Sequence, residues 1–142
     1  MQEFRGKNIL SVLRSSLVVA TLLFVATLVV APGVRAADVH FSEVTAILAR
    51  ECVMCHQPYD AKGELTLHPA GAWRSLVGAT SRQVDMLLVA PAEPDQSYLY
   101  RKLTDTHLEV GGSGDAMPFD AKLNTEQLAA IRAWIEQGAK DN

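Results

Sequence analysis

The sequence predicts a small all-α domain with long connections, preceded by an export segment. Two observations support the all-α class: apolar residues recur at helical spacing near both ends of the region after residue 36, and only GELTL (63–67) alternates as a strand would. The segments in between are short and are broken by glycine and proline. A chain of 142 residues has room for one such domain besides the export segment.

The segment 1–36 has the layout of a secretory signal. Residues 1–16 carry three basic residues against one acid, and residues 17–31 form an uncharged apolar run. The segment PGVRA (32–36) follows, in which proline and glycine disfavour a helix. Its small residues lie at the positions that a signal peptidase recognises. The run has 15 residues, whereas a spanning helix needs about 20. We expect a cleaved signal peptide, with an uncleaved N-terminal membrane anchor as the alternative. Both place the rest of the chain outside the cytoplasm, in the periplasm.

The charge of residues 37–142 restricts the classes of partner. This segment holds nine basic and 15 acidic residues, so its net charge is −6. Nucleic-acid binding needs a basic surface, and we therefore expect no nucleic-acid partner. The acidity suits protein partners with a basic docking face. A domain of this size buries a modest core, so a large apolar cofactor would help it to fold.

Two helices are predicted at the ends of this domain. The first is FSEVTAILARE (41–51), which places four apolar residues on one face and runs directly into Cys52: Phe41, Val44, Ile47 and Leu48. The second begins after Asn124, which forms a capping box with Gln127, and it is stopped by Gly138. Its apolar stripe consists of Leu128, Ile131, Trp134 and Ile135. We expect Leu48 and Trp134 to pack together.

The middle of the domain is less regular. GAWRSLVG (71–78) predicts one or two helical turns, and TSRQVDMLLVAP (80–91) predicts a short helix. PDQSYLYRKL (94–103) predicts another helix, with Asp95 as its N-terminal cap. EVGGSGDAMPF (109–119) is a glycine-rich loop. Long connections in a compact domain are usually functional, and here they could wrap a cofactor.

The chemistry of the chain is concentrated in CVMCH, where its two cysteines, Cys52 and Cys55, directly precede His56. A zinc site would need a fourth ligand, and adjacent Cys55 and His56 would hardly reach one tetrahedral ion together. A redox dithiol normally lies in a βαβ setting, which this sequence lacks. A structural disulfide across so tight a loop would stabilise little.

Covalent haem explains every residue of the motif. C-x-x-C-H is the attachment signature of c-type haem. Cys52 and Cys55 would add to the two vinyl groups, and His56 would become the proximal iron ligand. Export agrees with this interpretation, because such attachment takes place outside the cytoplasm. The sequence thus predicts one covalently attached haem c.

Met117 is the candidate for the distal iron ligand. Met/His ligation raises the reduction potential and suits electron transfer. Among the four methionines, Met1 lies in the leader, Met54 lies inside the motif, and Met86 lies in an apolar run that favours core packing. Met117 lies far along the chain from His56, on a loop whose glycines permit close approach. The other histidines rank behind it, since His68 and His107 are expected in solvated loops and His40 near the new N-terminus.

Several segments in order resemble a class I c-type cytochrome, most closely the planctomycete-type cytochrome c domain: ECVMCHQP, GELTL, PDQSYLYRKL, AMPF and LNTEQLAAIRAWIEQGA. The resemblance covers about residues 41–139. It implies a small fold in which the N- and C-terminal helices cross around the haem. It also implies that Cys52 and Cys55 carry the haem, with His56 proximal and Met117 distal.

The expected function is that of a monohaem one-electron carrier, not an enzyme, acting between redox partner proteins. The alternatives are a haem subunit dedicated to one dehydrogenase or reductase complex, and a ligand-binding or catalytic haem protein with an open distal site. Contact with a membrane is expected only if the N-terminal segment is retained as an anchor. Candidate partners for the haem propionates are Arg74, Arg82, Arg101, Lys102, Trp73, Tyr98 and Tyr100.

Overall fold

The computed structural model describes residues 37–142, so the predicted signal segment 1–36 lies outside the described residues. Helices make up most of the regular secondary structure of the described part. It contains helices α1 (Phe41–Glu51), α2 (Ala72–Leu76), α3 (Tyr98–Leu103) and α4 (Thr125–Glu136). Its 3₁₀ helices are Lys62–Glu64, Pro94–Gln96 and His107–Val110. None of these helices is long and apolar enough to cross a membrane.

Helix α1 covers the residues predicted for it, and the four apolar residues predicted to share one face do lie on the inside. Phe41, Val44, Ile47 and Leu48 are all buried. At its start the His40 amide donates to Glu43 Oε1 over 3.1 Å. This bond satisfies one of the backbone N–H groups that have no partner within the helix. The helix ends at Glu51, so the following Cys52 lies at its C-terminal cap.

Helix α4 begins and ends as the sequence predicts. The Gln127 amide donates to Asn124 Oδ1 over 2.8 Å, and the Asn124 amide donates to Gln127 Oε1 over 2.9 Å, which completes the capping box. The chain leaves the helix after Glu136, and Gly138 has a φ of 96°, which only glycine adopts readily. These end signals confine α4 to the segment that carries the buried Trp134.

The two terminal helices pack against each other around aromatic side chains. The Phe41 and Trp134 rings are stacked, with centroids 5.0 Å apart and planes at 29°. Leu48 and Trp134 belong to one continuous buried core, as the predicted packing requires. The Trp134 indole also donates to the Lys140 carbonyl over 2.9 Å, and the Trp73 indole to the Ala139 carbonyl over 2.8 Å. The C-terminal residues are thereby fixed to the core.

The helix predicted over residues 80–91 does not form. The segment turns back on itself through isolated bridges that pair Val77 with Val89 and Thr80 with Leu87. Within the turn, the Ser81 hydroxyl accepts a hydrogen bond from the Gln83 amide at 3.1 Å. Serine side chains that bond to nearby backbone compete with helix formation, and a short apolar run does not by itself distinguish a helix from an extended segment.

One smaller prediction is also wrong. Asp95 does not cap a helix, because α3 begins only at Tyr98 and Asp95 pairs with Arg132 instead, at 3.0 and 3.2 Å. GELTL (63–67), the stretch with strand-like alternation, forms no strand, since Gly63 and Glu64 have φ values of 62° and 55°. These positive values turn the chain back towards the CVMCH motif, and this turn contributes to the candidate site.

Candidate haem-attachment site

The CVMCH motif continues α1 as one further turn of backbone. The Cys52 amide donates to the Leu48 carbonyl over 2.9 Å. The Cys52 carbonyl then accepts from the amides of both Cys55, at 3.2 Å, and His56, at 3.1 Å. Because all three motif residues share this turn, the end of α1 fixes their backbone relative to the core.

The two thiols differ in their surroundings and are not joined in a disulfide. Cys52 is partly buried and packs against the core, whereas Cys55 is exposed. Burial, with smaller contributions from the charges of Glu51 and Cys55, raises the pKa of Cys52 to about 11. A raised pKa keeps the Cys52 thiol protonated at neutral pH, so Cys52 is not an activated nucleophile in this environment.

His56 is oriented by a hydrogen bond through one ring nitrogen. Its Nδ1 lies 3.0 Å from the Leu65 carbonyl oxygen. A carbonyl can only accept, so Nδ1 carries the proton, and in the neutral ring Nε2 keeps its lone pair. Histidines that bind metals usually donate their other N–H to such an acceptor, which fixes the tautomer and the ring orientation. The local chemistry of His56 therefore fits an iron ligand that binds through Nε2.

The segment that supplies this acceptor is itself tied to the motif. The Lys62 amide donates to the Cys55 carbonyl over 3.0 Å, and the Leu67 amide donates to the His56 carbonyl over 2.9 Å. Leu65 was not among the residues predicted for the site. The feature of the sequence that could have indicated this turn is Gly63, because glycine readily adopts a positive φ. Its positive φ reverses the chain two residues before Leu65.

Among the methionines of the described residues, Met117 is the one that packs against the core. It is partly buried and packs against the core, and its amide donates to the Lys102 carbonyl over 3.0 Å. Met54 is 85% exposed. Met86 is only partly buried, so the prediction that it packs in the core is not supported. The structure gives no ligand contact for Met117, and its role as distal ligand remains a prediction.

The histidines other than His56 fall into two groups. His40 and His68 are exposed, which agrees with the expectation of a solvated loop for His68. His107 is only 1% exposed, so the same expectation is wrong for His107. The sequence carries no clear signal for this burial, because His107 lies between polar residues and the glycine-rich loop.

Most of the candidate propionate partners already contact protein groups. Arg82 pairs with Glu64 at 2.7 Å, and Arg101 pairs with Glu109 at 3.5 Å. The Tyr98 hydroxyl donates to Gln83. The Trp73 indole and the Lys102 ammonium both donate to backbone carbonyls. These contacts reduce the number of side chains available to a propionate.

A cavity of about 340 Å³ adjoins Arg74, but it lies at the wrong end of α1 for the motif. It is lined by Ser42 and Thr45, in the first turns of α1, and by Trp73 and Arg74. Cys52 follows the last turn of this helix, whose 11 residues span roughly 16 Å. This cavity is therefore not part of the candidate site.

The described residues contain no group of three or more histidine, cysteine, aspartate and glutamate side chains arranged to hold a metal ion. Haem ligation does not depend on such a group, because the haem ring supplies four nitrogen ligands and a protein adds only the axial ones.

Comparisons of the chain with models of protein families, with curated proteins and with solved structures found no match. The chemistry of the site is therefore inferred from its own residues.

Proposed function

We propose that the protein is a monohaem c-type cytochrome that carries one electron at a time between redox proteins outside the cytoplasm. Cys52 and Cys55 hold the haem covalently, His56 is the proximal ligand and Met117 the distal one. The observation that carries the proposal is the hydrogen bond from His56 Nδ1 to the Leu65 carbonyl, at 3.0 Å. It leaves Nε2 available in the same turn that holds both thiols.

The thiols suit attachment better than redox exchange. Each S–H adds across one vinyl double bond, so that the sulfur bonds to one carbon and the hydrogen passes to the other, without an external oxidant. The cysteines are unpaired, and Cys55 is exposed at the surface. The pair follows helix α1, whereas the dithiols of thiol–disulfide modules normally lie in a βαβ setting.

Met117 distinguishes an electron carrier from a haem protein with an open site. A bound haem supplies one iron that alternates between the ferric and ferrous states, and a thioether ligand favours the ferrous state. The packing of Met117 against the core supports an interior role for this side chain. A dedicated haem subunit of one enzyme complex would use the same ligands, and only the identity of its partners would distinguish it.

Attachment is tested by intact mass after expression with a haem-attachment system. We expect the mass of the polypeptide to increase by one haem, and the haem to stay with the protein after acid–acetone extraction. Cys52→Ser and Cys55→Ser should each leave one attachment bond, and the double variant should lose the haem on extraction. Met54→Ala, which changes an exposed residue of the same motif, should attach haem normally. A parent whose haem extracts freely contradicts the proposal.

The ligand assignment is tested with methionine variants. Met117→Ala should lose the sulfur–iron charge-transfer band of the ferric protein, lower the reduction potential, and let the reduced protein bind carbon monoxide. Met86→Ala and Met54→Ala are the matched controls and should keep the band. If Met86→Ala loses it, Met86 is the ligand. If the parent itself lacks the band, the iron has an open site or two histidine ligands.

A further inference from the structure

The glycine-rich loop that precedes Met117 is held at defined points. Here the strap is defined as residues 111–116, between the 3₁₀ helix that begins at His107 and Met117 itself. The Met117 amide donates to the Lys102 carbonyl over 3.0 Å. The Lys102 ammonium donates to the carbonyls of Ser113, at 2.7 Å, and Asp115, at 2.8 Å. The two contacts of the Lys102 ammonium lie at the surface, where water competes with them.

His107 supplies the buried attachment of the same strap. Its carbonyl accepts from the Gly112 amide at 2.9 Å, and its Nε2 lies 2.8 Å from the Gly114 carbonyl oxygen. Since a carbonyl only accepts, Nε2 carries a proton and donates it. The His107 residue therefore contacts the strap through both its backbone and its side chain.

The second ring nitrogen shows that packing alone does not explain this histidine. Nδ1 is buried and has no hydrogen-bond partner among the described residues. The Asp105 carboxylate lies nearby, but its Oδ1 is 4.0 Å from Nδ1, too far for a hydrogen bond. An unpartnered buried nitrogen lowers stability, and an apolar side chain at this position would avoid that loss. What an apolar side chain could not provide is the Nε2–H donor to Gly114.

We propose that His107 is a positioning residue for the distal ligand: by holding the Gly114 carbonyl, it fixes the strap and so sets the position of Met117. The proposal rests on the proposed function, in which Met117 binds the iron. His107 itself touches neither the iron nor the haem in this role. It limits the opening of the strap, and opening would let the thioether leave and water or an added ligand enter.

The experiment compares His107→Leu, which loses the donor, with His107→Gln, whose side-chain amide can still donate. His68→Leu, a change at an exposed histidine, is the matched control. In the haem-loaded protein, we expect His107→Leu to weaken the sulfur–iron band, lower the potential and speed carbon monoxide binding. Amide exchange at Gly112 and Met117 should become about five to ten times faster, as for the loss of one buried hydrogen bond. His107→Gln should restore much of the band.

The outcomes separate this proposal from the proposed function. A parent without the sulfur–iron band overturns Met117 ligation, and this proposal falls with it. Suppose instead that the parent has the band and that His107→Leu keeps the band, the reduction potential and the amide exchange rates of the parent. This result overturns the positioning role of His107 alone. A lower unfolding temperature in His107→Leu with an unchanged band and potential also overturns it, because His107 would then serve stability only.

Discussion

Removal of the Trp134 side chain is expected to destabilise the domain strongly. Trp134 is 1% exposed, stacks on Phe41 at 5.0 Å and donates to the Lys140 carbonyl over 2.9 Å. Truncating a buried aromatic residue to alanine costs about 3–5 kcal/mol. A domain of this size is stable by about 5–15 kcal/mol, so Trp134→Ala should lose a large share of its free energy of unfolding. Urea unfolding of parent and variant in the same haem-loading state measures this change.

The control and a coupling measurement make the test specific to the contact between α1 and α4. Tyr59 is 98% exposed, so Tyr59→Ala should change the free energy of unfolding by less than about 0.5 kcal/mol. A double-mutant cycle between Phe41→Ala and Trp134→Ala should give a coupling energy of about 0.5–1.5 kcal/mol. A Trp134→Ala variant within about 0.5 kcal/mol of the parent would refute the packing of the terminal helices described here.

Three further changes have defined outcomes. Gly112→Ala would place a Cβ only 2.6 Å from a backbone carbonyl oxygen, so urea unfolding should show a loss of about 1–3 kcal/mol from overpacking. Gln137→Ala removes two hydrogen bonds to the start of the domain, one of them from the Val39 amide at 2.8 Å, and should speed amide exchange at Val39. The hydrogen bond from Arg132 lowers the pKa of Asp95. The contribution of this carboxylate to stability is therefore present above about pH 4, the usual Asp pKa, and is lost as the pH falls through the lower folded pKa. Asp95→Asn should differ from the parent in urea unfolding at pH 7 and converge with it at acidic pH.

Each of these predictions has a control of the same chemistry. Gly71 has open space where a Cβ would lie and a negative φ, so Gly71→Ala should change the unfolding free energy little. Gln96→Ala removes an exposed amide away from the start of the domain and should leave the exchange of Val39 unchanged. Asp60→Asn removes an exposed carboxylate and should not show the same convergence at acidic pH. If Asp95→Asn and Asp60→Asn behave alike, the pair with Arg132 does not contribute.

The terminal helices were predictable because their signals are local. In α4 the cap, the apolar stripe and the terminating glycine lie within 15 residues, from Asn124 to Gly138, and all three are visible without knowledge of the fold. In α1 the spacing of the apolar residues alone identified the buried face. These local signals also placed Cys52 directly after α1.

The middle of the chain was less predictable because distant contacts decide its conformation. Residues 80–91 fold back through bridges from Thr80 to Leu87 and from Val77 to Val89, and such pairing depends on the neighbouring segment more than on the apolar pattern. The burial of His107 depends on contacts with the strap, in particular with Gly114. The acceptor for His56 is a backbone carbonyl, at Leu65, and the identity of a residue does not reveal the use of its carbonyl.

The turn at Gly63 offers a direct test of how that carbonyl is positioned. Gly63 and Gly78 both have positive φ, 62° and 71°, and open space where a Cβ would lie. Alanine at either position should therefore cost a similar amount in urea unfolding, about 1–2 kcal/mol, from the left-handed backbone alone. Only Gly63 lies in the turn that brings the Leu65 carbonyl to His56 Nδ1. We expect Gly63→Ala to speed exchange of the His56 Nδ1 proton in NMR spectra and to shift the reduction potential of the haem-loaded protein, whereas Gly78→Ala should do neither. Equal effects of both variants on the Nδ1 proton would show that the turn does not position His56.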